Sequence, residues 1–179
     1  LDEAEFIQKL KNPSTQEASF RQLVTLNKER LYWHIRKIVL SHEDADDVLQ
    51  NTFVKIFRHV NGFRGDSKLM TWMYKIATNE AISFLNKKAK QAQVDLRTIQ
   101  EQAVENLKAD VYFDGDEIQL KLQEAIVTLP EKQQLVFNMK YFDNLKYQQM
   151  SEILETSVGS LKASYHHARK KIESHLLNH

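Results

Sequence analysis

Three stretches of this sequence hold side chains whose types and spacing could do chemistry. The first, Ser41–Val60, reads SHEDADDVLQNTFVKIFRHV and sets Glu43, Asp44, Asp46 and Asp47 ahead of Gln50 and Asn51. Acids near a helix N-terminus are favoured by the macrodipole, which accounts for Glu43 and Asp44. Gln50 and Asn51 lie too deep for that explanation. A face of carboxylates and amides, with Asp46, Asp47, Gln50, Asn51 and Val54 pointing away from the apolar stripe, suits docking on a basic protein helix and repels phosphate.

The second stretch, FRGDSKLMTWMYKIATNEAISFLNKK, interleaves Trp72 and Tyr74 with Arg64, Lys68, Lys75, Lys87 and Lys88. Rings on which bases stack, set among cations that follow the backbone, suit single-stranded nucleic acid. Trp72 could equally belong to a core stripe, whereas Phe63, on a glycine-containing loop, is expected to be exposed. In the third, LKASYHHARKK, the residues Lys162, Ser164, His166, His167, Arg169 and Lys170 face outward, with Ser160 just before them. An α-helix fits the major groove, where such side chains meet base edges and phosphates. A solvated basic face that complements a helix C-terminus is the other reading. His166 and His167 make a poor metal pair, because adjacent helical residues point about 100° apart. With no cysteine, no phosphate-cradling glycine loop, no HExxH pair and no Ser-His-Asp grouping, the chain reads as neither an enzyme nor a holder of metal or cofactor.

The elements that must position these residues are helices. Only four glycines and two prolines punctuate 179 residues, and long runs of good helix formers leave little room for strands. Phe20, Leu23, Val24, Leu26, Leu31, Ile35 and Val39 trace one helical face. Val48, Leu49, Thr52, Phe53, Ile56, Phe57 and Val60 trace a second, opened by Ser41 and Asp44 as a capping box. Asn61–Ser67 is a loop whose Asp66 and Ser67 could cap the next helix, which carries Leu69, Trp72, Met73, Ile76, Ala77 and Phe84. Periodicity fades from about 90 to 117, giving a flexible linker. Pro130 then starts a helix. A short helix LKYQQMSEIL, a turn around ETSVGS and a longer basic helix follow, the outline of a helix-turn-helix. There Met150, Ile153 and Leu154 are expected to pack on Val158, Leu161, Tyr165 and Ala168. The expected architecture is all-α, with two small helical domains over 1–92 and 117–179 and a linker over 93–116.

Net charge is only +1, but it is segregated. Six Lys and Arg face two acids between Gly62 and Lys90, eight acids face three bases between Asp95 and Glu124, and four bases stand alone between Gly159 and Lys171. Two basic surfaces separated by an acidic connector are implied. No apolar run approaches the roughly 18 residues that span a bilayer, and LDEAEFIQKL lacks the pattern of a secretory leader, so a cytoplasmic location is expected.

DADDVLQNTFVKIF followed by FRGDSKLMTWMYKIATNEAISFL resembles the second conserved region of bacterial extracytoplasmic-function sigma factors. LPEKQQLVFNMKYFDNLKYQQMSEILETSVGSLKASYHHARKKI resembles their fourth region, in the expected order. The resemblance implies a subunit that directs core RNA polymerase to promoters and opens them at transcription initiation. It makes Asp46, Asp47, Gln50, Asn51 and Val54 contacts to the beta-prime clamp. It makes Phe63, Arg64, Gly65, Asp66, Ser67 and Lys68, with Asn79, a pocket for a base flipped from the minus-ten element, and adds Trp72, Tyr74, Lys75, Lys87 and Lys88 as minus-ten DNA contacts. Ser160, Lys162, Ser164, His166, His167, Arg169 and Lys170 become readers of the minus-thirty-five duplex, beside a surface for the beta flap. An anti-sigma factor is a further partner by the same analogy. Ser83 and Asn86 stand where many members have Asp and Arg, and Ser164 and His167 at positions commonly basic. The rival readings of the residues are a helical protein-interaction scaffold and an ordinary helix-turn-helix regulator.

Overall fold

The computed structural model describes residues 2–113 and 115–178, and every regular element among them is helical. In order these are α1 (Glu3–Lys11), α2 (Gln16–Val39), α3 (His42–His59), a single 3-10 turn (Val60–Gly62), α4 (Leu69–Ala92), α5 (Leu96–Leu107), α6 (Glu117–Val127), α7 (Glu131–Tyr141), α8 (Tyr147–Leu154) and α9 (Val158–Asn178).

Local chemistry sets several boundaries. Ser41 accepts the Asp44 N–H at the start of α3, at a long 3.4 Å. Asp95 accepts the Thr98 N–H at 2.8 Å to open α5, and Asp116 accepts the Gln119 N–H at 2.9 Å to open α6. Each satisfies a donor that a helix start otherwise leaves unpaired. Pro130, which has no N–H to lose, stands at the N-cap of α7.

The apolar faces of α2, α3 and α4 pack on one another, with Leu23, Leu31, Ile35, Val48, Ile56 and Met73 buried. In the second group α9 lies across α6, α7 and α8. Glu155, at φ 54°, turns the chain between α8 and α9, which together form the helix-turn-helix. Leu161, Ala168 and Ile172 are its buried seam. Tyr165 stacks on Phe137 at 5.9 Å.

The two groups are packed together. α7 touches α2 and α8 lies along α4, so one buried apolar cluster runs from Leu31, Ile35 and Tyr74 to Met139, Met150 and Ile153. The stretch expected to be a flexible linker contains α5, which packs on both α4 and α6. Leu96, Ile99, Ala103, Val104 and Leu107 do keep helical spacing, but the acids around them and the polar Gln100 on the same face dilute the signal. Gln100 is buried against Gln134 of α7, each amide donating to the other's oxygen at 2.9 and 3.2 Å. Gln134 also donates to the Leu129 carbonyl at 2.8 Å. Leu26 and Phe57, expected in the core stripes, are instead exposed, because each lies at the margin of an apolar face that its neighbours already fill.

Gln134→Ala is expected to leave the Gln100 amide and the Leu129 carbonyl without partners, at a cost of about 1–3 kcal/mol. Urea denaturation monitored by circular dichroism reads the loss; an unchanged midpoint would show that α5 contributes nothing to the packed state.

Candidate nucleic-acid and protein interfaces

α3 presents the acidic and amide face that its sequence implied. Ala45, Val48, Thr52, Phe53 and Ile56 turn inward, which leaves Asp46, Asp47, Gln50, Asn51 and Val54 exposed. Val54 is an apolar residue on that polar face. Asp44 differs from these four polar neighbours: it is half-buried and accepts a hydrogen bond from Lys88 of α4 at 2.8 Å. One of the cations assigned to nucleic acid is thus already engaged across the α3–α4 seam, while Lys87 beside it is exposed.

The loop before α4 is built differently from its sequence expectation. Phe63 is buried, not exposed: its ring packs on Trp72 at 4.9 Å and joins the central core cluster. The 3-10 turn causes this, because the Phe63 N–H bonds the Val60 carbonyl and aims the side chain inward. Asp66 and Ser67 do not cap α4; Lys68 is the N-cap and contributes no side-chain bond there. Gly65 sits at φ 81°, a left-handed conformation that a side chain would disfavour.

Gly62, Phe63, Arg64, Asp66, Ser67 and Trp72 line an open cleft of about 290 Å³. That is close to the lower end of small-ligand pockets, about 300 Å³. The cleft has an aromatic wall, a carboxylate, a hydroxyl and a guanidinium, the groups needed to hold the face and edge of one base. Lys68 and Asn79 do not line it. Asn79 projects from α4 two to three turns further along, exposed and with no hydrogen-bond partner among the described residues. Lys11 of α1, which sequence reasoning passed over, donates to the Phe63 carbonyl at 2.5 Å and pins the loop. Only its spacing from the loop in the folded chain reveals that role.

Tyr74 is not available as a stacking platform in this arrangement. Its ring is buried against His34 at 4.6 Å and its hydroxyl accepts from Arg30 at 3.1 Å. Burial, reinforced by the nearby Asp143 charge, pushes its phenol up to about 12. Lys75 is paired with Glu155 of the helix-turn-helix at 2.5 Å, which holds the Glu155 carboxyl below its ordinary range. The sequence signal for Trp72 and Tyr74 mixed two roles: Trp72 keeps one edge toward the cleft, while Tyr74 serves the core.

On α9, Lys162, His166, His167, Arg169 and Lys170 are exposed and Ser164 is half-buried. Ser160 is anchored, its hydroxyl accepting from Lys132 of α7 at 2.8 Å. The Lys162 ammonium lies 5.8 Å from the Tyr147 ring, and Arg169 is 3.6 Å from Glu173 one turn on. These exposed pairings hold the side chains loosely and yield easily to phosphate. The rings of His166 and His167 meet edge-on, inclined at 62° with their centroids 5.8 Å apart.

The comparisons with known proteins follow the same division. The Sigma-70 region 2 family model matches residues 23–91, and the Sigma-70, region 4 model matches residues 119–172. The ECF RNA polymerase sigma factor SigW of Bacillus subtilis is 26% identical over 166 residues, covering 88% of this chain and 89% of its own. The ECF RNA polymerase sigma-E factor of Escherichia coli is 27% identical over 139 residues, 73% of each chain. Among solved structures, the sigma factor RpoE in complex with the anti-sigma factor NepR from Bartonella quintana superposes with a TM-score of 0.67 at 19% identity, over 88% of this chain and 96% of that one. CnrH in complex with the cytosolic domain of CnrY gives 0.70 at 18% identity, over 98% and 97%. Those two likenesses establish a shared helical fold. With regions 2 and 4 matched in order, and with relatives that are sigma factors along most of their length, the chain belongs to the sigma-70 family as an extracytoplasmic-function sigma factor.

Proposed function

We propose a division of labour among the three surfaces of this sigma factor, which directs promoter recognition for RNA polymerase and makes or breaks no bond itself. Residues 1–92 act as the polymerase-docking and minus-ten unit, 93–116 as the connector, and 117–179 as the minus-thirty-five unit. Asp46, Asp47, Gln50, Asn51 and Val54 dock on a basic helix of core polymerase. The cleft at Phe63–Ser67 takes a flipped minus-ten base, with Lys68, Asn79 and Lys87 following the melted strand. Lys162, His166, His167, Arg169 and Lys170 meet the minus-thirty-five duplex, with Ser160 and Ser164 at its edge. The observation that carries this reading is the opposed chemistry of neighbouring surfaces: an exposed acid-and-amide face on α3 and, one loop away, an aromatic-walled cleft with a guanidinium at its rim. The first cannot lie on phosphate, and the second suits an unstacked base.

No helix among the described residues is long and apolar enough to cross a membrane, and the reading places the chain in the cytoplasm with the polymerase. An anti-sigma factor fits as a further partner, since the sigma factor RpoE, which shares this fold, was captured with one. Transcription from defined promoters by core polymerase plus the purified chain tests the whole assignment; an inert chain would refute it.

Replacing Asp47 with Arg and Gln50 with Ala together is expected to weaken core polymerase binding at least about tenfold, or ~1.4 kcal/mol, with helicity unchanged. Wild-type affinity in a pulldown would remove these residues from the interface. Asp66→Ala and Asn79→Ala should each lower open-complex yield on a duplex promoter or shift base preference at minus ten, with polymerase affinity intact. Normal activity on both duplex and pre-melted templates, with unchanged preference, would make the loop purely structural. Lys162→Ala and Arg169→Ala are expected to cost about 1–3 kcal/mol each in holoenzyme binding to a minus-thirty-five duplex where they touch a base edge. A phosphate contact would instead weaken all sequences alike and flatten the salt dependence.

A further inference from the structure

We propose that a cleft between α2, the end of α5, the connector and α6 is a binding site for a small planar aromatic acid, held by Trp33, Tyr112, Lys37, Gln119 and Gln123. The cleft has a volume of about 350 Å³, within the range of small-ligand sites, about 300–1,000 Å³. It shares no lining residue with the cleft before α4. Helical spacing assembles its walls. Trp33, Arg36, Lys37 and Leu40 recur at three- and four-residue spacing on α2, and Gln119 and Gln123 lie one turn apart on α6, so each set shares a face. Leu107, Tyr112 and Phe113 complete the lining. Three rings and two leucines thus stand beside two amides and two cations, a composition that holds an aromatic body and reads its polar edge.

Gln123 carries the argument. It is only 5% exposed, and its side-chain amide has no hydrogen-bond partner among the described residues. Buried amides are almost always paired. Gln134 shows the contrast: it is also buried, and its amide bonds both Gln100 and the Leu129 carbonyl. A polar edge seated in the cleft supplies what the protein leaves out at Gln123. Trp33 points to the same occupant. It is half-exposed, meets Tyr32 edge-on at 5.1 Å, and its indole N–H has no partner among the described residues. Tyr112 is also exposed, and its stack on His42 at 3.7 Å holds the ring in place as a wall.

Charge selects the sign of the ligand. Arg36 and Lys37 both border the cleft, and the carboxylates nearest them are already engaged. Asp110 accepts from Arg36 at 2.7 Å, and Asp143 bonds His34 at 2.9 Å. Arg36 also donates to the Leu40 carbonyl and the Tyr32 hydroxyl, both at 2.9 Å, so it is a fixed part of the wall. Lys37 is different. Its ammonium rests 4.2 Å over the Phe142 ring, with no ion pair among the described residues. Burial lowers its pKa, while the Asp143 charge acts to raise it. A half-buried ammonium on a flexible stem gains from an incoming carboxylate. A cationic ligand would instead meet two like charges.

The chain has two tryptophans, so the purified full chain labelled with fluorotryptophan gives one fluorine resonance for Trp33 and one for Trp72, which Trp33→Phe assigns. Titration with 2-naphthoate should shift the Trp33 line saturably, with a Kd of about 1 mM or below. The cationic analogue 2-naphthylmethylammonium should bind at least about tenfold more weakly. Lys37→Gln and Gln123→Leu should each weaken naphthoate binding about fivefold or more, while Gln123→Leu, which removes an unpaired amide, should not lower the urea midpoint. No saturable Trp33 shift, movement of the Trp72 line alone, equal affinity for both naphthalenes, or undiminished binding by either variant would each overturn the proposal. A lower urea midpoint for Gln123→Leu would show its amide to be paired in the folded chain, and would overturn it too. Neither polymerase nor promoter enters the measurement, so failure of the sigma assignment reads out separately.

Discussion

Burial of basic groups on α2 is the constraint around which this molecule is arranged. A helix that places His34 and Arg36 inside must find hydrogen-bond partners for them there, since an unpaired buried guanidinium costs several kcal/mol. The N-terminal helices provide only part of the set, in the Thr78 and Tyr32 hydroxyls and the Leu40 carbonyl. The carboxylates come from beyond residue 108. Apolar contact between α8 and α4 contributes area, but the polar groups fix the register: a helix can slide on an oily surface, whereas the Arg36–Asp110 ion pair and the His34–Asp143 hydrogen bond admit one docking.

Charge is distributed so that each surface excludes the wrong partner. The α3 face repels phosphate, the start of α4 and the outer face of α9 attract it, and the acidic connector lies between. The near-neutral total conceals this because opposite surfaces cancel. Lys88 on Asp44 and Lys55 with Glu80 stitch α3 to α4, and so join the acid-and-amide face to the helix proposed to follow the melted strand.

Much of this was legible in the sequence where a residue's role is local. Helical spacing located α2, α3, α4, α7, α8 and α9, and the outward position of Asp47 and Gln50 follows from the apolar stripe beneath them. Reading failed where partners are distant in sequence. Phe63 was expected outside because its glycine neighbours mark a loop, yet the 3-10 turn and Trp72 draw it in. Tyr74 lies among cations in sequence and among core residues in space. Asp110, Asp143 and Lys11 have no local pattern at all, because each is defined by a bond to a residue more than fifty positions away. The helix over Leu96–Leu107 was obscured by a buried Gln100 that composition counts as polar and the fold uses as core.

The bond from Lys11 to the Phe63 carbonyl makes α1 a brace for the cleft, although the region 2 match begins only at residue 23. A hybrid sigma factor joined at that boundary would carry over the loop, its glycine and its aromatic wall, and leave the brace behind. Backbone position in a base-sized cleft matters at the scale of an ångström. On the proposed role of the cleft, the heritable unit of minus-ten preference is longer than the segment that bears the recognisable sequence, and grafting experiments on this protein should be cut ahead of α1.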